Sequence, residues 1–480
     1  MKRNPQSAIR NPQSTAEPSL NSSDDIRSGK PLKYAQYVTF DCPVNLELGG
    51  VLPGVTVAYE TWGTLNAAGD NAVLVCHAIS GDSHAAVHAA DDDAGWWDIA
   101  VGSGKPIDTD KYFVICPNIL GGCRGTTGPG SINPATGQPY GRDFPTITVG
   151  DMVAVQRLLV DHLGIGKLLA AVGGSMGGHQ VLAWAQKFPD RLRAAIPLAT
   201  SPRQNSQSLG FDIVGRNAIM SDPNFHGGQY YGNGGPSVGL AIARMIGHIT
   251  YLSPEAMQEK FEANRLQPRD VPTEFEKKFS VGSYLGYQGS KFVERFDANS
   301  YIALTMALDL FDIGSTRAEI AANIGAAQCR WLVISYTSDW LFPPEQSQAI
   351  VEALLSAGRG VSYCNVASRC GHDAFLLPDE IDVYGELIRS FLANIHAQPS
   401  RQGQHVDQPA QAAQGGATIS KRQRLDYDQI IQLIDPGASV LDLGCGAGTL
   451  LSRLERRAHG RRMGVELNDR AIIACVHRGL

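Results

Sequence analysis

The stretch Leu168-Leu-Ala-Ala-Val-Gly-Gly-Ser-Met-Gly-Gly-His179 decides how the rest of the chain is read. An uncharged apolar run enters Gly173-Gly-Ser-Met-Gly177, and Gln180-Val-Leu-Ala-Trp-Ala-Gln-Lys187 follows with helical character. Strand, sharp turn and helix in that order are the setting of a nucleophile elbow, Gly-x-Ser-x-Gly. There the serine is held in a strained backbone conformation, and the flanking glycines avoid the clash that a β-carbon would cause with the neighbouring helix or strand. A glycine-rich loop with an idle serine would spell the same five letters. The strand before and the helix after favour a catalytic Ser175.

A serine hydroxyl is a weak nucleophile until a base takes its proton, and the base needs an acid to fix its tautomer. In folds with this elbow the partners follow in the order serine, acid, histidine, each on a loop after a later strand. Trp331-Leu-Val-Ile-Ser-Tyr-Thr-Ser-Asp339 ends an apolar run on a carboxylate, and the next strand is followed by Cys370-Gly-His372-Asp373. Asp339 and His372 therefore fill the two places. Acyl chemistry also needs donors for a developing oxyanion: the amide of Met176 is one, and the second is expected from Ala78-Ile-Ser-Gly-Asp-Ser-His84, with Ile79 the choice. His77, His84 and His88 lack the carboxylate–histidine spacing of a zinc site and are read as loop packing, so no metal is expected.

Outward from the elbow, Ala72-Val-Leu-Val-Cys-His77 and Tyr112-Phe-Val-Ile-Cys116 are continuous apolar runs, which mean strands buried on both faces of a mostly parallel sheet. Tyr37–Phe40 and Val55–Thr61 precede them, and Leu192–Leu198, Arg330–Ser335 and Gly360–Val366 follow. Asp151 is expected to cap the helix through Val155, Leu158, Leu159 and Leu163. Between residues 201 and 327 the strand–helix rhythm gives way to short helical pieces such as Ser253–Lys260 and Ile302–Leu308, a mostly helical insertion that explains the 164 residues between Ser175 and Asp339. An amphipathic helix through Ile381, Tyr384, Leu387, Ile388 and Phe391 closes a domain spanning 34–397. Residues 1–33, with the repeat Arg-Asn-Pro-Gln-Ser at 3–7 and 10–14, are expected to be disordered, and 398–421 read as a polar linker.

The tail, 422–480, holds a second motif. Ala438-Ser-Val-Leu-Asp-Leu-Gly-Cys-Gly-Ala-Gly-Thr449 is a strand running into spaced glycines, Gly444 and Gly446 among them, and Glu466 stands 22 positions after Gly444 at the end of a short apolar strand. Glycines let a nucleotide approach the backbone, and an acid at that distance can accept from ribose hydroxyls. The expectation is a partial Rossmann-like segment.

A net charge of −6 and a pI near 6.1 give no reason to expect nucleic acid or an anionic membrane as partner. No apolar run is long enough to cross a bilayer, and the opening residues do not read as a secretory signal. Nine cysteines without CxxC spacing suit a reducing cytoplasm.

Several phrases together resemble the homoserine O-acyltransferases of the α/β-hydrolase fold, which start methionine synthesis. They are His77-Ala-Ile-Ser-Gly-Asp-Ser-His84, Gly95-Trp-Trp97, Gly104-Lys-Pro-Ile-Asp-Thr-Asp-Lys-Tyr112, Leu120-Gly-Gly-Cys-Arg-Gly-Thr-Thr-Gly-Pro129, Gly173–Gln180 and Ala243-Arg-Met-Ile-Gly-His-Ile-Thr-Tyr-Leu-Ser253. The resemblance covers about residues 35–395. It implies an acyl-CoA co-substrate with no tightly bound cofactor, a ping-pong route through acyl-Ser175, and attack by the homoserine hydroxyl with His372 as base. It also implies that Arg244 holds the amino acid's carboxylate, with Tyr251 beside it, while Asp373 meets the ammonium. The helical insertion becomes a lid and the contact of a homodimer. Succinyl-specific members tend to carry arginine two places after the catalytic aspartate; Leu341 stands there, which favours acetyl-CoA. Transfer of succinyl, serine as acceptor, and hydrolysis by an esterase or thioesterase stay open. The tail resembles the start of the methyltransferase-like MetW proteins, but about 60 residues fall short of a complete domain of that type, so S-adenosylmethionine binding is conceivable there and catalysis is not expected.

Overall fold

Ala72–Cys76, Ala170–Gly174 and Ala194–Leu198 are buried at every position. Strands without a solvent face belong inside a sheet that is covered on both sides. The computed structural model places all three at the centre of one eight-stranded sheet. It describes residues 31–262, 279–397, 427, 430–435, 437–455 and 460–480; most of the N-terminal extension and the whole linker expected at 398–421 lie outside them.

The strands are β1 (Gln36–Phe40), β2 (Val55–Trp62), β3 (Ala72–Cys76), β4 (Phe113–Pro117), β5 (Ala170–Gly174), β6 (Ala194–Leu198), β7 (Arg330–Tyr336) and β8 (Val361–Val366). Their order across the sheet is β1-β2-β4-β3-β5-β6-β7-β8. β1 and β2 run antiparallel to their neighbours, and every pairing from β4 to β8 is parallel. This is the α/β-hydrolase arrangement expected from the elbow.

Helices α1 (Val149–His162) and α2 (Met176–Lys187) follow in the chain. The insertion between β6 and β7 carries α3 (Ser206–Met220), α4 (Ser237–Tyr251), α5 (Pro254–Phe261), α6 (Ser280–Val293), α7 (Ala298–Asp309) and α8 (Arg317–Ile324). After β7 come α9 (Pro344–Ser356) and α10 (Ile381–Ala397). Leu159, Val181, Leu182, Ile350 and Leu354 belong to the apolar layer on one face of the sheet, and Tyr384, Leu387, Ile388 and Phe391 of α10 to the layer on the other. Fully burying a side chain of this size contributes about 1.5–3 kcal/mol, so each layer outweighs any single polar contact in holding the sheet.

One expected cap is corrected. Thr148, in extended backbone, is the N-cap of α1: its hydroxyl accepts from Asp151 N at 3.0 Å while the Asp151 carboxylate accepts from Thr148 N at 2.9 Å. Asp151 is the returning half of a capping box, because the cap lies three residues earlier than expected.

The tail contributes β9 (Val440–Leu443) and β10 (Arg462–Val465), paired in parallel, with α11 (Thr449–Glu455) and α12 (Asp469–His477). It packs on the main domain. Val476 joins the α10 layer at 2% exposure, Asn394 donates to Val476 O at 2.6 Å, and Arg330 donates to Gly479 O at 3.1 Å. Among the described residues no helix is long and apolar enough to cross a membrane.

Candidate active site

β5 delivers Ser175 to the start of α2 with φ 58° and ψ −126°, a region that an L-residue enters only under constraint. The glycines around it are required by space. A Cβ on Gly177 would lie 2.1 Å from Cys76 O, and one on Gly173 2.5 Å from the same oxygen, so β3 can approach the turn only because both lack side chains. Ser175 N donates to Leu198 O at 3.0 Å and Thr200 Oγ1 donates to Ser175 O at 3.1 Å, which ties the turn to the β6 end.

Asp339 follows β7 and His372 follows β8. His372 Nδ1 and Asp339 Oδ2 are 2.8 Å apart, and Asp339 Oδ1 accepts from the amides of Leu341 and Phe342 at 3.1 and 2.9 Å. These three bonds fix the carboxylate, and the carboxylate fixes the imidazole with Nδ1 as its donor. Both side chains are buried, and Ser175 is nearly so. Burial alone would depress the His372 pKa, but the charge of Asp339 and its hydrogen bond outweigh it and hold the pKa above its ordinary value. His372 Nε2 is buried and has no hydrogen-bond partner, not even Ser175. Catalytic hydrogen bonds are often long before substrate arrives, and this nitrogen is the one a base would use.

Ser175 opens into a cavity whose lining includes Ile79, Asp212, Tyr251, Tyr301, Leu341 and Phe342. The amides of Ile79 and Met176 have no backbone or side-chain acceptor among the described residues, as an oxyanion site requires. Arg244 and Tyr251 lie two turns apart on α4, with the guanidinium 5.6 Å from the Tyr251 ring centroid and 4.7 Å from that of Phe292. Arg244 Nη1 donates to Ser80 Oγ at 3.3 Å, and Arg295 Nη1 donates to Ser80 O at 2.9 Å, so two cations hold the loop that carries Ile79. The Tyr251 ring is 6.1 Å from that of His372. Asp373 is adjacent in sequence; burial raises its pKa while His372 and Arg244 pull it back. Ser175, Ile79, Tyr251 and Leu341 line this cavity; His372, paired with Asp339, and Arg244 lie beside the Tyr251 ring, and Met176 and Asp373 are the chain neighbours of Ser175 and His372.

Sequence reasoning missed three contributors: Arg295, Asp212 and Glu60. His84 and His88 do more than fill the loop. His84 Nδ1 and His88 Nε2 approach the fully buried Glu60 Oε2 at 2.9 and 2.8 Å, and these ligand atoms lie close enough together to hold a metal ion. Protons already satisfy them: His84 Nε2 also reaches Asp93 O at 2.8 Å, so both its nitrogens face acceptors, and the Glu60 bond drives its pKa to about 9. The signal in the sequence was a carboxylate within the otherwise uncharged Val55–Trp62 run. His77 stands apart from them, with Nδ1 against Ala78 O and Nε2 accepting from Ile119 N.

In the tail Glu466 meets the glycine turn. Glu466 Oε2 accepts from Gly446 N at 2.7 Å, and Oε1 accepts from Leu467 N and Asn468 N at 2.8 and 2.9 Å. The carboxylate of Glu466 thus bridges the glycine turn and the end of β10. Gly444 N donates to Val465 O, and the Leu480 side chain packs where a Cβ on Gly448 would lie.

Known proteins bear on this geometry. The α/β-hydrolase fold family matches residues 71–379, and the family described as methionine biosynthesis protein MetW matches residues 424–480. The bifunctional methionine biosynthesis protein MetXA/MetW of Rhodopirellula baltica is 51% identical over 97% of the chain and 75% of its own length. A homoserine O-acetyltransferase of Desulfotalea psychrophila is 50% identical over 78% of the chain and 98% of its own length. A homoserine O-succinyltransferase of Acidithiobacillus ferrooxidans is 49% identical over 75% of the chain and 94% of its own length. Among solved structures, esterase E22 superposes with a TM-score of 0.67 at 29% identity, covering 75% of the chain and 100% of its own. The homoserine O-acetyltransferase of Bacillus anthracis gives 0.66 at 30%, covering 75% and 98%. With a match to the hydrolase fold over more than half its length and a relative this similar across nearly all of it, the chain belongs to the homoserine O-acyltransferases of the α/β-hydrolase superfamily and carries a segment of the MetW family on its C-terminal side.

Proposed function

We propose that the chain carries an acetyl group from acetyl-CoA to the side-chain hydroxyl of L-homoserine by a ping-pong route through acyl-Ser175. Ser175 Oγ attacks the thioester carbonyl as its proton passes to His372 Nε2; the oxyanion rests on the amides of Ile79 and Met176. The C–S bond then breaks, and the CoA thiolate leaves with the proton from His372. Homoserine enters, its hydroxyl gives a proton to the same nitrogen, and its oxygen takes the acetyl group while Ser175 recovers its proton. Arg244 holds the carboxylate of the amino acid and Asp373 its ammonium, since a zwitterion needs a cation and an anion set apart.

The observation that carries this reading is the partnerless, buried Nε2 of His372, with Asp373 next in the chain and under the influence of both the His372 and the Arg244 charge. Leu341 in the cavity wall supports acetyl, because it gives a distal carboxylate nothing to pair with. The likeness to esterase E22 favours hydrolysis as the second reading. The insertion also exposes Ile213, Val214, Val238, Ile242 and Ile249 on α3 and α4, an apolar surface that a second copy of the chain would cover.

The test is CoA release with acetyl-CoA or succinyl-CoA crossed against homoserine, serine and water. Fast release only with acetyl-CoA and homoserine is the expected result; equal release with and without homoserine would make the protein a hydrolase.

A further inference from the structure

Ala78-Ile79-Ser80-Gly81 is a tight turn, closed by Gly81 N donating to Ala78 O at 2.9 Å. Ile79 lines the cavity together with Ser175. Its N–H belongs to the same planar peptide as Ala78 O, so whatever fixes that carbonyl also fixes the N–H, which points the opposite way. A second group reaches the carbonyl: His77 Nδ1 lies 2.7 Å from Ala78 O. A carbonyl can only accept, so Nδ1 carries a proton. Ile119 N–H can only donate, and it meets Nε2 at 3.2 Å, so Nε2 is bare. The ring is therefore a neutral imidazole in one tautomer, 1% exposed, and burial keeps its pKa below the ordinary value. The backbone of His77 is tied to the elbow as well. Gln180 Nε2 donates to His77 O at 3.0 Å and to Met176 O at 3.3 Å, while Gln156 Nε2 donates to Gln180 Oε1 at 2.6 Å.

We propose that His77 is a positioning residue for the reaction at Ser175: through Ala78 O it aims and polarises the amide of Ile79, and Gln180 holds that turn in register with Met176. This rests on the acyl-transfer reading, with Ile79 and Met176 as the oxyanion donors. A peptide whose carbonyl accepts two hydrogen bonds is the more polarised, which makes its N–H the stronger donor. A donor held from behind also needs no reorientation when negative charge develops in front of it. A histidine that merely filled the loop would serve in either tautomer; its two partners here permit only the one that donates to the Ile79 peptide.

The experiment compares two variants of the full chain. His77→Asn puts an amide where Nδ1 stood, keeping a donor for Ala78 O and losing the acceptor of Ile119 N. His77→Gln puts its amide where Nε2 stood and does the reverse. Each loses one buried bond, so both should lower thermal stability. Only His77→Gln should slow the chemistry, by about 10- to 100-fold in acetylation by acetyl-CoA alone and again in transfer to homoserine, with the homoserine KM and all His77→Asn rates within about threefold of wild type. Folded variants that are equally fast or equally slow, or a change confined to KM, would overturn the proposal. In histidine-labelled wild-type protein, nitrogen NMR should find His77 neutral with its proton on Nδ1; a proton on Nε2 would overturn it whether or not either variant folds. Ile79→Pro removes the N–H itself at a turn position that proline accepts, and should be at least as slow as His77→Gln. Acetylation of Ile79→Pro at the wild-type rate would overturn the reading of Ile79 as an oxyanion donor, and this inference with it, whereas a slow Ile79→Pro beside a fast His77→Gln would overturn the role of His77 alone.

Discussion

Asp339 spends one oxygen on two backbone amides and the other on His372 Nδ1, so its work is to orient and to hold positive charge on the ring. Asp339→Asn keeps the size and loses the charge, and an amide can present its NH₂ to Nδ1 and reverse the tautomer. Such a change in a serine triad lowers kcat by roughly 10⁴-fold; we expect that loss with circular dichroism unchanged. The sign of the pH effect follows from the same contact. His372 acts as a base only when neutral, and its pKa is raised, so kcat/KM for acyl-CoA should fall on the acid side through a group titrating above 6.5. In Asp339→Asn that limb should move to lower pH. A limb that stays in place would assign the titration to another group. The triad was legible in the sequence because each member follows a strand in a fixed order. Asp212 and Arg295 were not, because one sits on an inserted helix and the other in the turn after α6, and where these pieces of the insertion come to lie depends on packing that no local pattern encodes.

The element that aims Ile79 is the loop after β3, held at one end by Arg244 and Arg295 and at the other by His84 and His88 on Glu60. The raised pKa of His84 gives this anchor a pH signature. Its contribution to stability is fully present below about pH 6.5 and is lost as pH rises through about 9. Glu60→Gln removes the charge that raises it, so thermal stability should fall at pH 7 and decline less steeply toward pH 9 than in the wild type. Parallel declines would show that the anchor does not depend on the charge. The strands of this layer were readable from continuous apolar runs, since burial on both faces leaves no room for alternation. The cap of α1 was displaced because its apolar stripe begins after the capping box.

Across the whole molecule, the tail is joined to the main domain by Val476 in the α10 layer and by backbone contacts from Arg330 and Asn394. Its β-strand and glycine turn were visible in sequence, but its docking was not, because the contacting residues are 80 or more positions apart. Val476→Asp would bury a carboxylate with no partner and cost about 3 kcal/mol of docking. Faster proteolysis of the tail with kcat within about twofold is expected; lost activity would show that the tail supports the site. The central claim, that Ser175 carries the acyl group between two substrates, is tested most directly by mass spectrometry of rapidly quenched enzyme. With acetyl-CoA alone, the peptide containing Ser175 should gain one acetyl group and lose it when homoserine is added, with O-acetylhomoserine formed in equal amount. An unmodified Ser175 during turnover, or acetyl accumulating in Ser175→Ala, would contradict it.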